Sequence, residues 1–375
     1  MMVLQTSNWA KALAVGITGA MACMAFILPA SAASTTNVNV IGYSVVGPAF
    51  KLLETNFQHS AGGQGVSFTN SFGASDTETN NVVNGQAADI VNLSYESNVT
   101  TLVKANLVPS NWKNQELTVA GVNAQLKGAK QQVTYHSPGI VTNSVVVFIV
   151  PKGNPRGITG WSDLTKPGTQ IVTPNPATSG SAKWNLLAGY AGWIALKHTP
   201  QQAQNYLKSL LEHTVAQPTS GATALSTFLS GTGNVLLDYE DDAQAAVAAG
   251  DPITIVVPPQ TLLIQNPIAL TNTGLNNPAA QAFYKYLFTP AAQGILTSLG
   301  YRSVLSNVWS GSLHDFASFT AKTKILNITN LNKTGWSGAD PEFFGSTVTF
   351  PKNDSTHPNQ GIVTYLEQFA GQSAG

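Results

Sequence analysis

Short apolar runs alternate with amphipathic stretches along most of this chain. Residues 38–41, 66–70 and 88–93 read as strands, being brief, rich in β-branched or aromatic side chains and bounded by turn residues. Between them, residues 47–57 and the stretch from Ser75 to Gly85 carry helical spacing, the second with Ser75 as its cap. Residues 144–151 and 170–173 read as buried strands. Helices follow over 184–197 and 200–213, the latter opened by Pro200 in its first turn. Strands over 234–238 and 253–257 flank a helix over 243–249 that closes at Gly250, and helices over 279–288 and 290–299 complete the core. This alternation predicts an α/β fold with helices packed on mainly parallel sheets, and no repeat with a period of about 20 to 50 residues interrupts it.

The first 32 residues stand outside that pattern. Lys11, an apolar run over 12–28 and Ala30-Ser31-Ala32 have the order of a cleaved secretory signal, so an exported mature chain of two domains is expected. Cys23, the sole cysteine, lies inside that segment, which leaves the mature chain without disulfides or thiolate metal sites. The chain carries 18 basic and 18 acidic residues, so losing Lys11 brings the mature protein near minus one. Such a balance provides no basic field for nucleic acid or an anionic membrane. Charged residues make up 10%, against about a quarter in an ordinary soluble chain. Two readings stay open, life in acid, where carboxylates titrate and ion pairs lose value, or compositional drift.

Candidate chemistry concentrates where strands end. The stretch from Thr173 to Asn185 runs from a strand through a Pro/Gly/Ser turn into a helix. A helix start leaves backbone N–H groups unpaired at the positive end of the macrodipole, so Ser179, Gly180 and Ser181 form a ready anion site. A side chain at Gly180 would keep a ligand off the backbone. Gly42-Tyr43-Ser44, Phe72-Gly73-Ala74-Ser75 and Thr219-Ser220-Gly221-Ala222 repeat the pattern. Each alone reads equally as a plain serine cap. Together, in an α/β chain, they point to helix starts converging on a neutral, donor-rich pocket at the carboxyl ends of the strands.

Several longer motifs carry a family likeness. Val150-Pro-Lys-Gly-Asn-Pro155, Trp161-Ser-Asp-Leu164, Thr173-Pro-Asn-Pro176 and Ser179-Gly-Ser-Ala-Lys-Trp-Asn185 resemble the sulfate/thiosulfate-binding proteins of ABC importers. Val83-Asn-Gly-Gln-Ala-Ala-Asp89, Tyr284-Lys-Tyr-Leu287, Gly300-Tyr-Arg302, Gly335-Trp336 and Gly361-Ile-Val-Thr364 extend the likeness over nearly the whole mature chain. The resemblance implies a two-lobed type II periplasmic-binding-protein fold, each lobe a mainly parallel sheet flanked by helices, with crossing strands joining the lobes. Residues 33–145 with 256–375 would form one lobe and 146–255 the other. It also implies an oxyanion held by the amides of Ser44, Ser75, Gly180, Ser181 and Ala222, the Ser179 hydroxyl, and Tyr239 at the family's indole position. Charge-assisted bonds of roughly 1.5 to 3 kcal/mol each suffice for the roughly 8 kcal/mol of a micromolar complex without a cation in contact.

Departures from the family pattern bear on the ligand. A tyrosine hydroxyl at Tyr239 donates or accepts, whereas an indole only donates. Ser181 stands for a usual glycine and Ser44 for a usual aspartate. Asp76, with Glu78 nearby, introduces a carboxylate beside Ser75, which either accepts a proton from hydrogen phosphate or merely favours the first turn of its helix.

Other constellations point nowhere specific. The six histidines make no helical i,i+4 pair with a carboxylate, so no metal is expected, and no cofactor motif is recognised. Glu240-Asp241-Asp242 reads as the acidic first turn of a helix, and residues 115–135 and 348–358 read as surface insertions. The expectation is therefore an exported, monomeric solute receptor, not an enzyme. It captures a tetrahedral oxyanion, sulfate or thiosulfate first, with phosphate or molybdate as alternatives, and delivers it to an ABC permease. A hydrolase of phosphate or sulfate esters is the competing class, and it would need a nucleophile with a base or a metal.

Overall fold

The structure, a computed structural model, describes residues 36–115, 138–305, 323–345 and 360–372. The expected signal segment, the insertion at 348–358 and all but Gln115 of the insertion at 115–135 lie outside the described residues. Strand β1 (Thr36–Tyr43) leads through the single turn Ser44–Val46 into α1 (Gly47–Gln58), which buries Phe50, Leu53 and Phe57 along one face. Strand β2 (Val66–Gly73) leads into α2 (Ser75–Val83), and β3 (Ile90–Asn92) into α3 (Glu96–Lys104). Both β2 and β3 pair in parallel with β1, so the helix starts after all three strands share one edge of the sheet.

After β4 (Ile140–Pro151), a second parallel group forms from β5 (Ile171–Val172), β6 (Thr214–Ala216) and β7 (Val235–Tyr239). Helix α4 (Gly180–Ala195) follows β5, α5 (Pro200–Glu212) precedes β6, α6 (Gly221–Leu229) follows β6, and α7 (Glu240–Ala249) follows β7. Thr199 and Gln202 form a capping box on α5, and α7 stops at Gly250, whose φ of 86° is the left-handed conformation glycine tolerates. Helix α4 starts four residues before the expected 184, and its residues from Gly180 to Gly192 are all buried. A helix buried on all sides, with Ser181, Lys183 and Asn185 in its first turns, carries little periodic signal at its start.

Strands β8 (Ile253–Val256) and β9 (Gln260–Leu270) return to β4. The sheet runs β2-β1-β3-β9-β4-β7-β5-β6, with β8 also on β4. Strand β4 pairs antiparallel with β9 through Val145 and with β7 from Val146 onward, while β9 pairs antiparallel with β3 from Ile268. Parallel pairing therefore holds on both flanks, and the centre is antiparallel because β4 and β9 each run from one flank into the other. The pattern of apolar residues does not single out β9, which holds Gln265, Asn266 and Pro267. Pro267 is tolerated because it faces Ile140, where the β4 register shifts and no regular ladder bond is required.

The C-terminal part contributes α8 (Pro278–Leu287), α9 (Pro290–Ser298), β10 (Lys324–Leu326), α10 (Trp336–Phe344) and α11 (Ile362–Leu366). Phe283 of α8 meets Phe50, Phe57 and Phe68 with ring centroids 6.1, 5.2 and 4.7 Å away, closing the core over the β1 flank. The architecture is thus mixed α/β, with parallel strands on both flanks and antiparallel crossing strands between them.

Candidate functional site

The starts of α2, α4 and α6 and the turn at Ser44 come together where the two flanks of the sheet meet. The first link is Ser75, which is the first residue of α2 rather than its cap, Ala74 taking that place. Its hydroxyl is thereby free to donate to Ser94 Oγ at 2.8 Å and to accept from the Ser94 N–H at 3.0 Å. Ser94 follows β3, and its carbonyl accepts from Trp184 Nε1 of α4 at 2.8 Å and from Asn266 Nδ2 of β9 at 3.1 Å. Gly180 lies against the same residue, since a Cβ built on it would stand 2.5 Å from the Ser94 Cβ and 2.7 Å from Tyr95 Cδ1. Bare backbone at 180 is what allows the start of α4 to approach.

The serines divide by what their hydroxyls do. Ser220 is an ordinary cap, accepting from the Thr223 N–H at 3.2 Å. Ser179 is the N-cap residue of α4 but makes no cap bond, and its Oγ lies 2.8 Å from Ser181 Oγ instead. Both are buried. Ser44 Oγ accepts a long 3.4 Å bond from the Ala222 N–H of α6, which ties the β1 flank to the β5 flank. The N–H groups of Ser44, Ser75, Gly180 and Ser181 have no intrahelical acceptor, and among the described residues no turn or cap bond takes them. The Asp76 N–H, by contrast, donates to Thr178 O at 3.1 Å.

Tyr239 completes the group from the end of β7. It is fully buried, its ring centroid 6.2 Å from that of Tyr43. Ser94 and Asn266 are its polar neighbours, yet Tyr239 Oη meets no partner at bonding geometry among the described residues. Burial above all pushes its hydroxyl well above the ordinary tyrosine range, with Asp241 and Asp238 adding to the effect, so it stays protonated and able to donate.

Asp76 takes a different position. Its Oδ1 accepts from Tyr95 Oη at 2.8 Å and from Asn98 Nδ2 at 2.6 Å, while Oδ2 lies 3.1 Å from Lys183 Nζ. Its charge is thus matched by an ammonium from the first turn of α4. Behind Tyr239, the acidic run Glu240-Asp241-Asp242 does open a helix, but all three residues are buried. Glu240 takes a bidentate pair from the buried Arg302 at 2.6 and 2.8 Å. No group of three or more metal-ligating side chains occurs among the described residues.

Contacts therefore link Ser75 and Gly180 through Ser94, which also neighbours Tyr239, pair Ser179 with Ser181, join the half-buried Ser44 and Ala222, and give Asp76 an ionic partner. Sequence reasoning missed Ser94, Asn266 and the bonding role of Lys183. Ser94 had a usable signal, a serine at the carboxyl end of a strand two residues before a helix. Asn266 had none, because β9 was itself not legible.

A family model described as bacterial extracellular solute-binding protein matches residues 38–302. The sulfate-binding protein of Synechococcus elongatus is 31% identical over 322 residues, 84% of this chain and 85% of that protein. The thiosulfate-binding protein of Pseudomonas aeruginosa is 25% identical over 266 residues, 68% of this chain and 74% of that protein. Among solved structures, the sulfate-binding protein SubI from Mycobacterium tuberculosis superposes with a TM-score of 0.72 at 36% identity, over 82% of this chain and 99% of that one.

Proposed function

This chain belongs to the bacterial extracellular solute-binding proteins, and among them to the sulfate- and thiosulfate-binding family, and on that premise we propose that it captures sulfate or thiosulfate outside the cytoplasm and delivers it to the permease of an ABC transporter. What supports this reading is that the first-turn amides of Ser44, Ser75, Gly180 and Ser181 find no backbone acceptor among the described residues, beside a Ser179 hydroxyl that makes no cap bond. Such donors match a dianion without exchanging protons with it, and preorganised dipoles in a buried site hold it more strongly than water-exposed ones would. In this reading Ala222 exchanges its long bond to Ser44 for one to the anion, and Tyr239 Oη donates as well.

The same reading takes residues 1–32 as a signal peptide removed on export. The mature monomer has one lobe from 33–145 with 256–375 and another from 146–255, and β4 and β9 are the strands on which they hinge. Among the described residues no helix is long and apolar enough to cross a membrane. Binding rather than turnover is supported by the company of Ser179, whose hydroxyl is bonded to another serine and not to a base.

Isothermal titration of the mature, anion-stripped protein with sulfate, thiosulfate, phosphate and molybdate, at acid and neutral pH, tests the proposal. Tight sulfate or thiosulfate binding with little pH dependence is expected. Preference for phosphate would refute the anion assignment, and turnover of phosphate or sulfate esters that vanished in Ser179→Ala would refute the receptor reading altogether.

A further inference from the structure

Ser179 and Ser181 open α4, and their buried hydroxyl oxygens lie 2.8 Å apart. Among the described residues neither hydroxyl bonds anything else. The neighbouring Thr178 differs, since its Oγ1 donates to Thr219 O at 2.8 Å. Two hydroxyls in one bond carry two protons, and only one of these fits between the oxygens. The other must find an acceptor or stay unpaired in a buried place, which is costly. Ser181 Oγ lies against the first residue of α6, because a Cβ built on Gly221 would stand 3.1 Å from it. Ser179 instead holds the cap position, beside the free amides of Gly180 and Ser181, where an anion would supply the missing acceptor.

We propose that Ser181 is a positioning residue that sets the anion specificity of the site, its hydroxyl donating to Ser179 Oγ and so committing the Ser179 proton to the bound oxyanion. The proposal rests on the oxyanion reading above. A hydroxyl that accepts one bond donates the next more strongly, so the pair forms a short relay from Ser181 through Ser179 to the anion. The relay has one favoured direction. An anion that brings its own proton, such as hydrogen phosphate, needs Ser179 Oγ as an acceptor. The Ser179 proton must then turn back to Ser181 Oγ, which leaves the Ser181 proton without a partner. Sulfate and thiosulfate dianions ask only for donors and meet no such cost. Without the Ser181 hydroxyl, a water admitted in its place can turn either way, and Ser179 is free to donate or to accept.

The test is titration calorimetry with sulfate and with phosphate in mildly alkaline buffer, where phosphate is mainly hydrogen phosphate, on wild type, Ser181→Ala, Ser181→Gly, Ser179→Ala and the Ser179→Ala/Ser181→Ala double variant. Ser181→Ala and Ser181→Gly should each weaken sulfate about fivefold or more while phosphate changes less than about twofold, so the preference for sulfate shrinks. Because Ser181 acts through Ser179, adding Ser181→Ala to Ser179→Ala should change sulfate affinity less than about twofold. A purely structural role would weaken both anions alike and would persist without the Ser179 hydroxyl. With wild type binding sulfate, an unchanged ratio of the two affinities would overturn the relay. So would a loss of equal size on the Ser179→Ala background, or an effect confined to one of the two Ser181 variants, which would trace to the methyl or the backbone instead of the hydroxyl. A wild type that bound neither anion would refute the oxyanion reading itself, and the relay with it.

Discussion

Gly180 approaches Ser94 so closely that a Cβ on the glycine would stand 2.5 Å from the Ser94 Cβ. Real Cβ atoms do not come so near, and the two residues belong to opposite flanks of the sheet. Gly180→Ala leaves the first turn of α4 intact, since alanine is the best helix former. It wedges the flanks apart at the site. The variant should bind sulfate at least about tenfold more weakly, a loss of about 1.4 kcal/mol or more, with its ligand-free unfolding transition little changed. Titration calorimetry beside thermal unfolding separates the two effects, and undiminished affinity would show that the flanks do not meet over the anion.

Ser179 and Ser220 stand at equivalent helix starts but do different things. Ser179→Ala removes a hydroxyl that makes no cap bond, so affinity should fall by about 1.5 to 3 kcal/mol while stability barely moves. Ser220→Ala removes the acceptor of the Thr223 N–H and should cost about 1 kcal/mol of stability with little effect on affinity. Urea unfolding and calorimetry on both variants check this, and interchanged results would place the anion at α6 instead of α4.

Tyr239→Phe deletes a buried hydroxyl that bonds nothing among the described residues. Removing an unsatisfied polar group should leave the ligand-free protein as stable or slightly more stable, while sulfate binding weakens by about 1 kcal/mol or more. A variant destabilised without ligand and unaltered in affinity would mean that the hydroxyl serves the fold and not the anion.

Stability should rise in acid. Burial foremost pushes the carboxyls of Asp238, Asp241 and Asp242 up, Asp241 to about 7, and Glu54 on α1 also to about 7. An acid whose folded value is raised adds stability that is complete below its unfolded value near 4 and is lost as pH climbs to the folded value. Asp163 runs the other way. Burial raises it, but bonds from Lys166, Thr159 and Gly160 outweigh that and bring it to about 2, so its contribution is lost only as pH falls from about 4 toward 2. Urea unfolding of the ligand-free protein should therefore show a few kcal/mol more stability near about pH 4.5 than near about pH 8, with Asp241→Asn flattening the slope. A flat or opposite slope in wild type would mean that these carboxyls are solvated in the folded protein.

These buried acids bear on the low charge of the chain. Composition left acid habitat and drift equally open, because a count of carboxylates says nothing of their surroundings. Burial of Asp238 at the end of β7 and of Asp241 and Asp242 at the start of α7 gives the acid reading a physical mechanism, since protonation removes the cost of burying them.

The α/β class and the small-residue turns that open helices around Ser75, Gly180 and Gly221 were legible because they depend on neighbours in sequence, although the helix bounds at Ser75 and Gly180 were not. A strand, a small-residue turn and a helix leave free amides wherever they occur. Strand β9 was not legible, because Pro267 and Asn266 are acceptable only against the irregular stretch of β4 that they face. Likewise, no local rule separates Ser179 from Ser220. Both precede a helix, and the structure shows the Ser179 hydroxyl turned to Ser181 where the Ser220 hydroxyl caps.

The sequence by itself therefore determined that this protein carries several anion-ready helix starts and belongs to an oxyanion-binding kind, because backbone donors and motif spacing are local properties. Tertiary structure alone decided which donors share one locus, that Ser94 joins α2 to α4, and that Asp76 is matched by Lys183. Hydrogen bonds and ion pairs act over a few ångströms, and only the crossing of β4 and β9 brings residues so distant in the chain within that reach.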